Sequence, residues 1–416
     1  MASQQPLEKR RFAVLAVVCL LAVVTYVQRV GFAVVAPELQ IQYQFNPRQM
    51  GFLLAAFLIA YGLFEVPCGW LGDKLGVRHL LTLLAIGMSI STALVVLVMH
   101  FSEQTWQPLA YLLIVRFAFG AFQAGIFPVL SRTMADWMPV KERGTAQGSI
   151  WMASRVGGAI APFLIVWLVK DHGGWPAPLF FAAILGILWC IVYWPWYREP
   201  VVSMSTGRKS SHVAVPWRTF LRSRSVWGLC LMYACGGFVA NFYVTLLPTY
   251  LRDQRHLAPD QMKWVTGLPL ACGIVACLAG GLVSDAIIRT TGNRKWGRRL
   301  NGSIGLFVAA VSLLATNYVN EVWALASLLC LTFFCNDLAM GPAWASCADV
   351  GERHAGSLAG LMNMCGNLAG AVGSILAGSL FNAGMSSLVF VIFSSSFACA
   401  ALCWLLVDAT QPIESE

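Results

Sequence analysis

The stretch Gly69-Trp70-Leu71-Gly72-Asp73 recurs 212 residues later in the chain as Gly281-Leu282-Val283-Ser284-Asp285. The same offset of 212 places further glycines on one another: Gly144, Gly148 and Gly158 on Gly356, Gly360 and Gly370. Matches at one offset in two separated regions indicate a duplicated unit. A duplication of membrane-spanning units is typical of transporters, whose substrate site lies between the two units near the middle of the membrane.

Composition and apolar runs predict the units themselves. Hydrophobic residues make up 58% of the 416 residues and charged residues 11%, whereas a soluble domain carries roughly 25% charged residues. A helix needs about 20 apolar residues to cross a bilayer. Apolar segments occur near residues 12–36, 48–71, 79–99, 107–134, 145–169, 177–198, 226–251, 260–288, 300–317, 321–346, 355–382 and 385–408.

These segments predict an all-α integral membrane protein with twelve transmembrane helices in two pseudo-symmetric six-helix halves. The N-terminal half comprises residues 1–198 and the C-terminal half residues 225–416. The polar stretch 199–224 is the predicted cytoplasmic linker between them. A monomer is sufficient for this architecture.

The cations predict which side of the membrane each loop faces. The net charge is +9, and most lysines and arginines lie in the loops at one end of the predicted bundle, among them Lys74, Lys141 and Arg299. Cytoplasmic loops carry such an excess. We therefore predict a multi-pass protein of the plasma membrane, the inner membrane in a bacterium, with both termini cytoplasmic. The positive charge then reflects topology, and no nucleic-acid partner is expected.

Three arginines, Arg29, Arg116 and Arg155, lie inside otherwise apolar spans. A charge at the centre of a spanning helix costs about 2.5–3.5 kcal/mol. Three of them cost roughly 8–10 kcal/mol, on the order of a whole domain's stability. They are therefore expected to face a water-filled or protein-lined cavity, and a cationic cavity indicates an anion as cargo.

The chain shows no pattern of an enzyme. It has no nucleophile–base spacing and no P-loop, and its 13 cysteines and six histidines show no metal-ligand spacing. We predict that the protein is not an enzyme and needs no metal or cofactor.

The repeat indicates what kind of anion. The offset of 212 places Arg29 on Asn241 and Arg155 on Asn367. A guanidinium binds a carboxylate through two hydrogen bonds, while a carboxamide donates to and accepts from hydroxyls. A ligand with an acidic head and a hydroxylated body, such as a sugar acid, would bind the arginines of one half and the asparagines of the other.

Helical spacing adds polar and aromatic side chains to these arginines. Tyr26 lies one turn from Arg29 on the same face of the first helix, and Trp151 lies one turn from Arg155 on the fifth. The predicted substrate-binding residues are Arg29, Tyr26, Tyr61, Arg116, Gln123, Trp151, Arg155, Asn241, Trp344, Asn363 and Asn367.

Some of these residues have a purely structural alternative. Arg116 could pair with an acidic side chain such as Glu65 instead of holding substrate. Asn363 and Asn367 could bond across helices, and Trp344 could anchor its helix at the membrane interface.

Acidic residues divide into two groups. Glu65 and Asp337 lie inside predicted spans, where an acid can serve a proton relay, and they are the candidates for a coupled proton. A cytoplasmic gate needs contacts that form in one state and break in the other. Charges at cytoplasmic helix ends provide such contacts, and the predicted gate residues are Asp73, Arg78, Arg132 and Asp285.

Several motifs resemble a known family. Residues 69–79 resemble the loop between the second and third helices of the major facilitator superfamily. Residues 26–29, 120–128 and 136–144 resemble its anion:cation symporter family, and residues 353–367 are similar to that family's eleventh helix. The family includes bacterial galactonate, glucarate and hexuronate permeases. The resemblance implies a secondary transporter that works by alternating access.

Two positions depart from the family pattern. The family usually has a carboxylate just before the first-helix arginine and a glutamate on the fourth helix, where this chain has Gln28 and Gln123. In proton-coupled relatives those carboxylates are the implied protonation sites, and a glutamine does not titrate. The departure implies that proton coupling is atypical or absent.

The sequence thus predicts a transporter of an organic anion, with a sugar acid such as a hexuronate or an aldonate preferred. Coupling runs through Asp337 or Glu65, or is absent, which gives facilitated diffusion or exchange. The expected partners are the small anion, the lipid bilayer and, where coupling exists, protons. The alternatives are an efflux transporter for acidic amphiphiles or drugs and a transporter-like nutrient sensor.

Overall fold

The computed structural model describes residues 5–102, 106–171, 174–200 and 215–413, and within these ranges the chain is helical with no strand. The α-helices are α1 Gln5–Gln42, α2 Pro47–Leu75, α3 Val77–Leu94, α4 Gln107–Ala124, α5 Ile126–Trp137, α6 Arg143–Asp171, α7 Pro176–Trp196, α8 Trp217–Arg222, α9 Arg224–Thr245, α10 Leu247–Asp253, α11 Pro259–Thr291, α12 Arg294–Ala315, α13 Val322–Leu338, α14 Met340–Gly351, α15 Ala355–Asn382 and α16 Ser386–Cys403. Of the predicted linker, residues 201–214 lie outside the described ranges, and the remainder contains α8.

Eleven segments of the described chain are long and apolar enough to cross a membrane. Ten of them have 20 to 33 residues, and the eleventh, Val322–Asn382, has 61. A straight helix of that length would measure about 90 Å, three times the roughly 30 Å of a bilayer core. The segment turns at Glu352, whose φ is 42°, between α14 and α15. It therefore crosses twice, and the prediction of twelve transmembrane helices is confirmed.

Local sequence explains where some helices begin and end. Asn46 caps α2 in a capping box with Gln49, because each side chain binds the backbone N–H of the other. Gly76 separates α2 from α3 with a φ of 87°, which glycine adopts without steric cost. The two helices can therefore turn back on each other within a single residue.

With an even number of crossings, the two ends of the described chain lie at the same end of the bundle. Arg11 forms an ion pair with Glu142 there, and the backbone N–H of Ile413 donates to the carbonyl of Val350. We call this end the basic end, because the cation-rich loops lie there, and the other end the distal end.

The buried apolar side chains show where the halves meet. The largest cluster contains residues of both halves, such as Trp137 and Trp344. A second cluster contains only residues of the N-terminal half, among them Tyr43 and Trp175 near the distal end. The halves therefore share one large core, and the N-terminal half has a further core of its own toward the distal end.

Most of the packing between the halves occurs in two helix pairs, α2 with α15 and α6 with α11. Gly69 lies against the carbonyl of Gly356, and Gly281 lies against the carbonyl of Gly144, so closely that a Cβ at either position would collide with backbone. The offset of 212 turns the first pair into the second. The duplication predicted from the sequence is thus present as two matching interfaces.

Candidate substrate cavity and gate

At the basic end, Asp73 of α2 reaches across to α15. Its carboxylate accepts hydrogen bonds from the backbone N–H of Gly356 at 3.1 Å and of Ser357 at 2.7 Å, and from the Ser357 hydroxyl at 2.6 Å. These donors belong to the first turn of α15, where the free N–H groups and the helix dipole favour an anion. The carboxylate of one half therefore caps a helix of the other.

Asp285 of α11 repeats this arrangement on α6. It accepts from the backbone N–H of Gly144 at 3.1 Å and of Thr145 at 2.6 Å, and from the Thr145 hydroxyl at 2.8 Å. Each partner is related to its counterpart in the Asp73 site by the offset of 212. We call the two arrangements the aspartate caps, and together they hold the halves against each other at the basic end.

A buried ion network surrounds the Asp285 cap. Arg298 binds Asp285 at 2.7 Å and Asp349 at 3.0 Å, and Arg143 of the N-terminal half binds Asp349 at 2.7 Å. Removing one member of a buried ion pair costs about 3–5 kcal/mol because the other charge stays buried. The hydrogen bonds of the Asp285 cap are therefore reinforced by ion pairs that also cross the interface between the halves.

The two predicted gate arginines differ in position. Arg132 pairs with Asp136 at 3.0 Å and also donates to the carbonyl of Glu352 in the C-terminal half, at 3.2 Å. Arg78 donates to the carbonyl of Trp194 at 3.0 and 2.6 Å and stacks on its ring. Trp194 belongs to the N-terminal half, so the structure brings Arg132 to the interface but not Arg78.

Midway along the bundle, Arg155 of α6 makes a two-point ion pair with Asp337 of α13. Both hydrogen bonds measure 3.0 Å, and the Asp337 side chain is fully buried while that of Arg155 is 19% exposed. The Cys277 thiol and the Asn336 carboxamide also donate to this carboxylate, at 3.7 and 3.1 Å. A predicted substrate arginine and a predicted proton carrier are therefore direct partners across the halves.

The other interface places Glu65 of α2 against α15. Asn363 and Asn367 both donate to the same Glu65 oxygen, the latter at 2.9 Å, and Asn363 also reaches the Tyr61 hydroxyl at 3.4 Å. The second Glu65 oxygen is buried with no hydrogen-bond partner in the described structure. In this conformation the two asparagines bond across helices, which was the structural alternative left open by the sequence.

Arg29 lies between aromatic rings. Its guanidinium carbon is 5.7 Å from the ring centre of Tyr26, 5.0 Å from that of Phe57 and 5.2 Å from that of Tyr61. It forms no ion pair within 4.0 Å with any described residue, although Glu65 is near enough for the charges to attract. The three rings surround the guanidinium at cation–π distances, and its N–H groups form no hydrogen bond with a described residue.

Aromatic side chains separate this region from the gate. Trp151 of α6 stacks on Phe127 at 4.6 Å and meets Trp344 of the C-terminal half at 5.1 Å. Trp344 donates through Nε1 to the Tyr233 hydroxyl at 3.2 Å. Trp151 and Trp344, both predicted site residues, therefore form a continuous apolar floor across the two halves.

Three predicted residues lie away from the interface. Arg116 is 4% exposed and Gln123 is fully buried, donating to the carbonyl of Thr25 at 3.1 Å inside the N-terminal half. Asn241 of α9 lies against Gly370 of α15, inside the C-terminal half. Their assignment to substrate stays a prediction. Among the described residues, no group of three or more His, Cys, Asp or Glu side chains could hold a metal ion.

The sequence profile of the Major Facilitator Superfamily matches residues 18–374. The chain belongs to this superfamily. The matched region contains both aspartate caps and every predicted substrate-binding residue. The superfamily resemblance drawn from the motifs is thereby confirmed.

Two relatives of this transporter are named as probable transporters of small organic anions. The chain is 28% identical to the probable sulfoacetate transporter of Cupriavidus necator, over 98% of this chain and 96% of that protein. It is 28% identical to the probable galactarate/D-glucarate transporter of Escherichia coli K12, over 89% and 88% of the two chains. Such relatives support the resemblance to sugar-acid permeases, and they are consistent with a protein that is not an enzyme.

A solved structure supports the fold. A major facilitator proton:xylose symporter bound to 6-bromo-6-deoxy-D-glucose superposes on this transporter with a TM-score of 0.77, covering 95% of each chain at 13% identity. Such a likeness shows the shared fold and carries no information on cargo.

Sequence reasoning missed part of this transporter's site. Tyr233 lies at the aromatic floor, and Asp349 joins Arg143 to Arg298. Asp349 is an acid at the end of an apolar span, which the sequence alone does not distinguish from a loop charge. Only the packing of α14 against α6 reveals its partners.

Asp73→Asn should open the basic end, because it removes the charge that binds the first turn of α15. Hydrogen bonds to a charged group contribute about 1.5–3 kcal/mol, and 1.4 kcal/mol is a factor of about ten. Cys277 of α11 is buried against α6 and should become accessible on opening. In a variant with Cys277 as its only cysteine, alkylation by a water-soluble maleimide should accelerate at least about tenfold.

The matched control is Asp260→Asn, which removes an exposed acid paired with Lys263 at the distal end and should leave the rate unchanged. Asp285→Asn should accelerate alkylation more than Asp73→Asn does, because Arg298 also loses a partner. A wild-type rate in both cap variants would contradict the role of the caps.

Proposed function

We propose that this transporter carries an organic anion of the sugar-acid class by alternating access. The observation that carries the proposal is Arg29, a guanidinium between three aromatic rings with no ion-pair partner among the described residues. A charge in the middle of a membrane protein is costly unless it is paired or used. Binding of a carboxylate or sulfonate would supply the missing partner.

The surroundings of Arg29 fit a hydroxylated body attached to that acid. Tyr61 links the Arg29 site to Asn363 across the halves, and the Asn367 carboxamide lies one turn further along α15. Carboxamides and phenols both donate to and accept from hydroxyl groups. The Trp151–Trp344 floor offers an apolar face to the carbon chain. The similarity to probable transporters of sulfoacetate and of galactarate/D-glucarate supports a small anion of this class.

We propose that the protein lies in the plasma (bacterial inner) membrane with its basic end facing the cytoplasm. The excess of cations at that end supports this orientation. With the aspartate caps closed and the distal core of the N-terminal half separate from the shared core, the conformation then corresponds to an outward-facing state. Opening of the caps and closure at the distal end would deliver the anion to the other side.

We propose that Asp337 carries a coupled proton. Gln28 and Gln123 do not titrate, and the ion pair between Asp337 and Arg155 persists only while Asp337 is charged. A proton on Asp337 would remove its attraction for the guanidinium and free Arg155 to bind the acid group of the cargo. Release of the cargo would let the ion pair form again and expel the proton. Anion and proton would therefore move together.

Arg29→Gln should weaken binding of D-glucarate and sulfoacetate roughly a hundredfold, because hydrogen bonds to a charged group contribute about 1.5–3 kcal/mol. Arg29→Lys should fall between that variant and the wild type, since a lysine keeps the charge but not the two-point geometry. Titration calorimetry of the purified protein measures each dissociation constant.

Arg48→Gln provides the control, because it removes the same charge from an exposed position in the first turn of α2. Its affinities should equal those of the wild type. Wild-type affinity in Arg29→Gln would contradict the anion site, and failure of the wild type to bind either acid would contradict the cargo class.

Asp337→Asn should abolish accumulation of cargo driven by a pH gradient in proteoliposomes, while exchange of external for internal cargo continues. The carboxamide resembles the protonated acid, so the variant is fixed in the form that leaves Arg155 free. Uptake of labelled D-glucarate with and without a pH gradient measures both activities.

Glu65→Gln is the matched control at the other intramembrane acid and should still accumulate cargo. Loss of accumulation in Glu65→Gln alone would move the coupled proton to Glu65. Gradient-driven accumulation by Asp337→Asn would exclude Asp337 as the carrier.

A further inference from the structure

A small pocket lies inside the N-terminal half, among α1, α3, α4 and α7. Gln28, Ser91, Thr92 and Arg116 provide its polar lining, and Phe32 is among the apolar side chains that complete it. Its free space admits roughly one water-sized particle. That size excludes a six-carbon acid, so the pocket is distinct from the substrate cavity between the halves.

Arg116 is the charged group of this pocket, and none of the described residues pairs with it as a counter-charge. Its side chain is buried, its Nε has no hydrogen-bond partner, and it forms no ion pair within 4.0 Å with a described residue. Its guanidinium carbon lies 4.1 Å from the ring centre of Phe32 and 5.1 Å from that of Phe119. Ring faces attract a cation by roughly 0.5–2 kcal/mol, well below the several kcal/mol needed to bury an ion.

The neighbouring side chains do not supply the missing negative charge. Gln28 donates to the Ser89 hydroxyl at 3.0 Å and to the Ala182 carbonyl at 2.9 Å, and its oxygen accepts from Thr92 at 3.2 Å. It is neutral and its hydrogen-bonding groups are already engaged. Gln123, which lies two turns further along α4 than Arg116, is neutral as well.

A second cation makes the burial less favourable. Arg29 and Arg116 lie 5.0 and 4.9 Å from the centre of the same ring, that of Phe57. Their charges are therefore within about 10 Å of each other, a distance at which buried charges are poorly screened. Any anion beside Arg116 would reduce this repulsion.

We propose that the pocket binds a small inorganic anion of the halide class, which serves as the counter-ion of Arg116. The guanidinium donates to the anion, and the Thr92 hydroxyl, which has one proton and two acceptors within reach, can turn to donate as well. The halide takes the place of a side-chain carboxylate. This role replaces the predicted contact of Arg116 with the cargo.

Thermal unfolding of the purified protein in detergent tests the site. Chloride or bromide replaces HEPES anion at constant ionic strength, with no other anion present. A ligand that binds the folded state alone raises Tm, here by roughly 3–6 °C at a hundredfold excess over Kd. The wild type should show a saturable rise with either halide.

Two variants act on the pocket from opposite directions. Arg116→Met removes the charge and should eliminate the response to halide. Gln28→Glu places a carboxylate in the pocket, so it should raise Tm in halide-free buffer and also eliminate the response. Agreement between them excludes simple damage to the fold.

Asn363→Ala alters the substrate cavity but leaves both Arg29 and Arg116 in place. It should keep the wild-type response to halide, which separates this site from the substrate cavity. Bromide in a crystal should give an anomalous peak beside Arg116. Absence of a saturable halide response in the wild type, or an undiminished response in Arg116→Met, would overturn the proposal, whichever cargo the transporter carries.

Discussion

The closed basic end depends on two carboxylates that cap helices of the opposite half. Asp73 and Asp285 each bind two backbone N–H groups and a hydroxyl at the start of α15 and α6. This bonding requires the helices to approach so closely that glycine backbone contacts glycine backbone. The shared apolar core follows from that approach. Breaking hydrogen bonds that water can replace would let the same interface open, as alternating access requires.

Farther from the basic end, the contacts between the halves change in character. Arg155 with Asp337, and Glu65 with the two asparagines of α15, join the halves through groups that a ligand or a proton can engage instead. Arg29 lies beside them, surrounded by three aromatic rings and without an ion pair to any described residue. Cargo binding in the cavity and closure of the gate thus act on the same two interfaces, which gives a physical route for coupling them.

The sequence predicted the architecture because apolar runs and a fixed repeat offset can be recognised without knowing which helices pack together. The lengths of the apolar runs predicted the spans, and one offset in the sequence related Asp73 to Asp285 and Gly144 to Gly356. Side-chain partners were less predictable, because they depend on which helices pack together. An intramembrane arginine signals a functional position, but the sequence did not distinguish Arg29, at the interface, from Arg116, inside one half. Neither Asp349 nor Tyr233 could be assigned a role from the sequence. The partners of Asp349 lie on α6 and α12, and the partner of Tyr233 lies on α14.

The most direct test of an anionic cargo compares sugar acids with their uncharged parent sugars as stabilisers of the folded protein. D-glucuronate and D-glucose are both six-carbon pyranoses that differ only in the acid group at C6. Stabilisation by the acid and not by its neutral counterpart, with a rise in Tm that saturates with concentration, is the predicted result. Equal stabilisation by the neutral sugar would show that the arginines of the cavity are structural and would contradict the anion site.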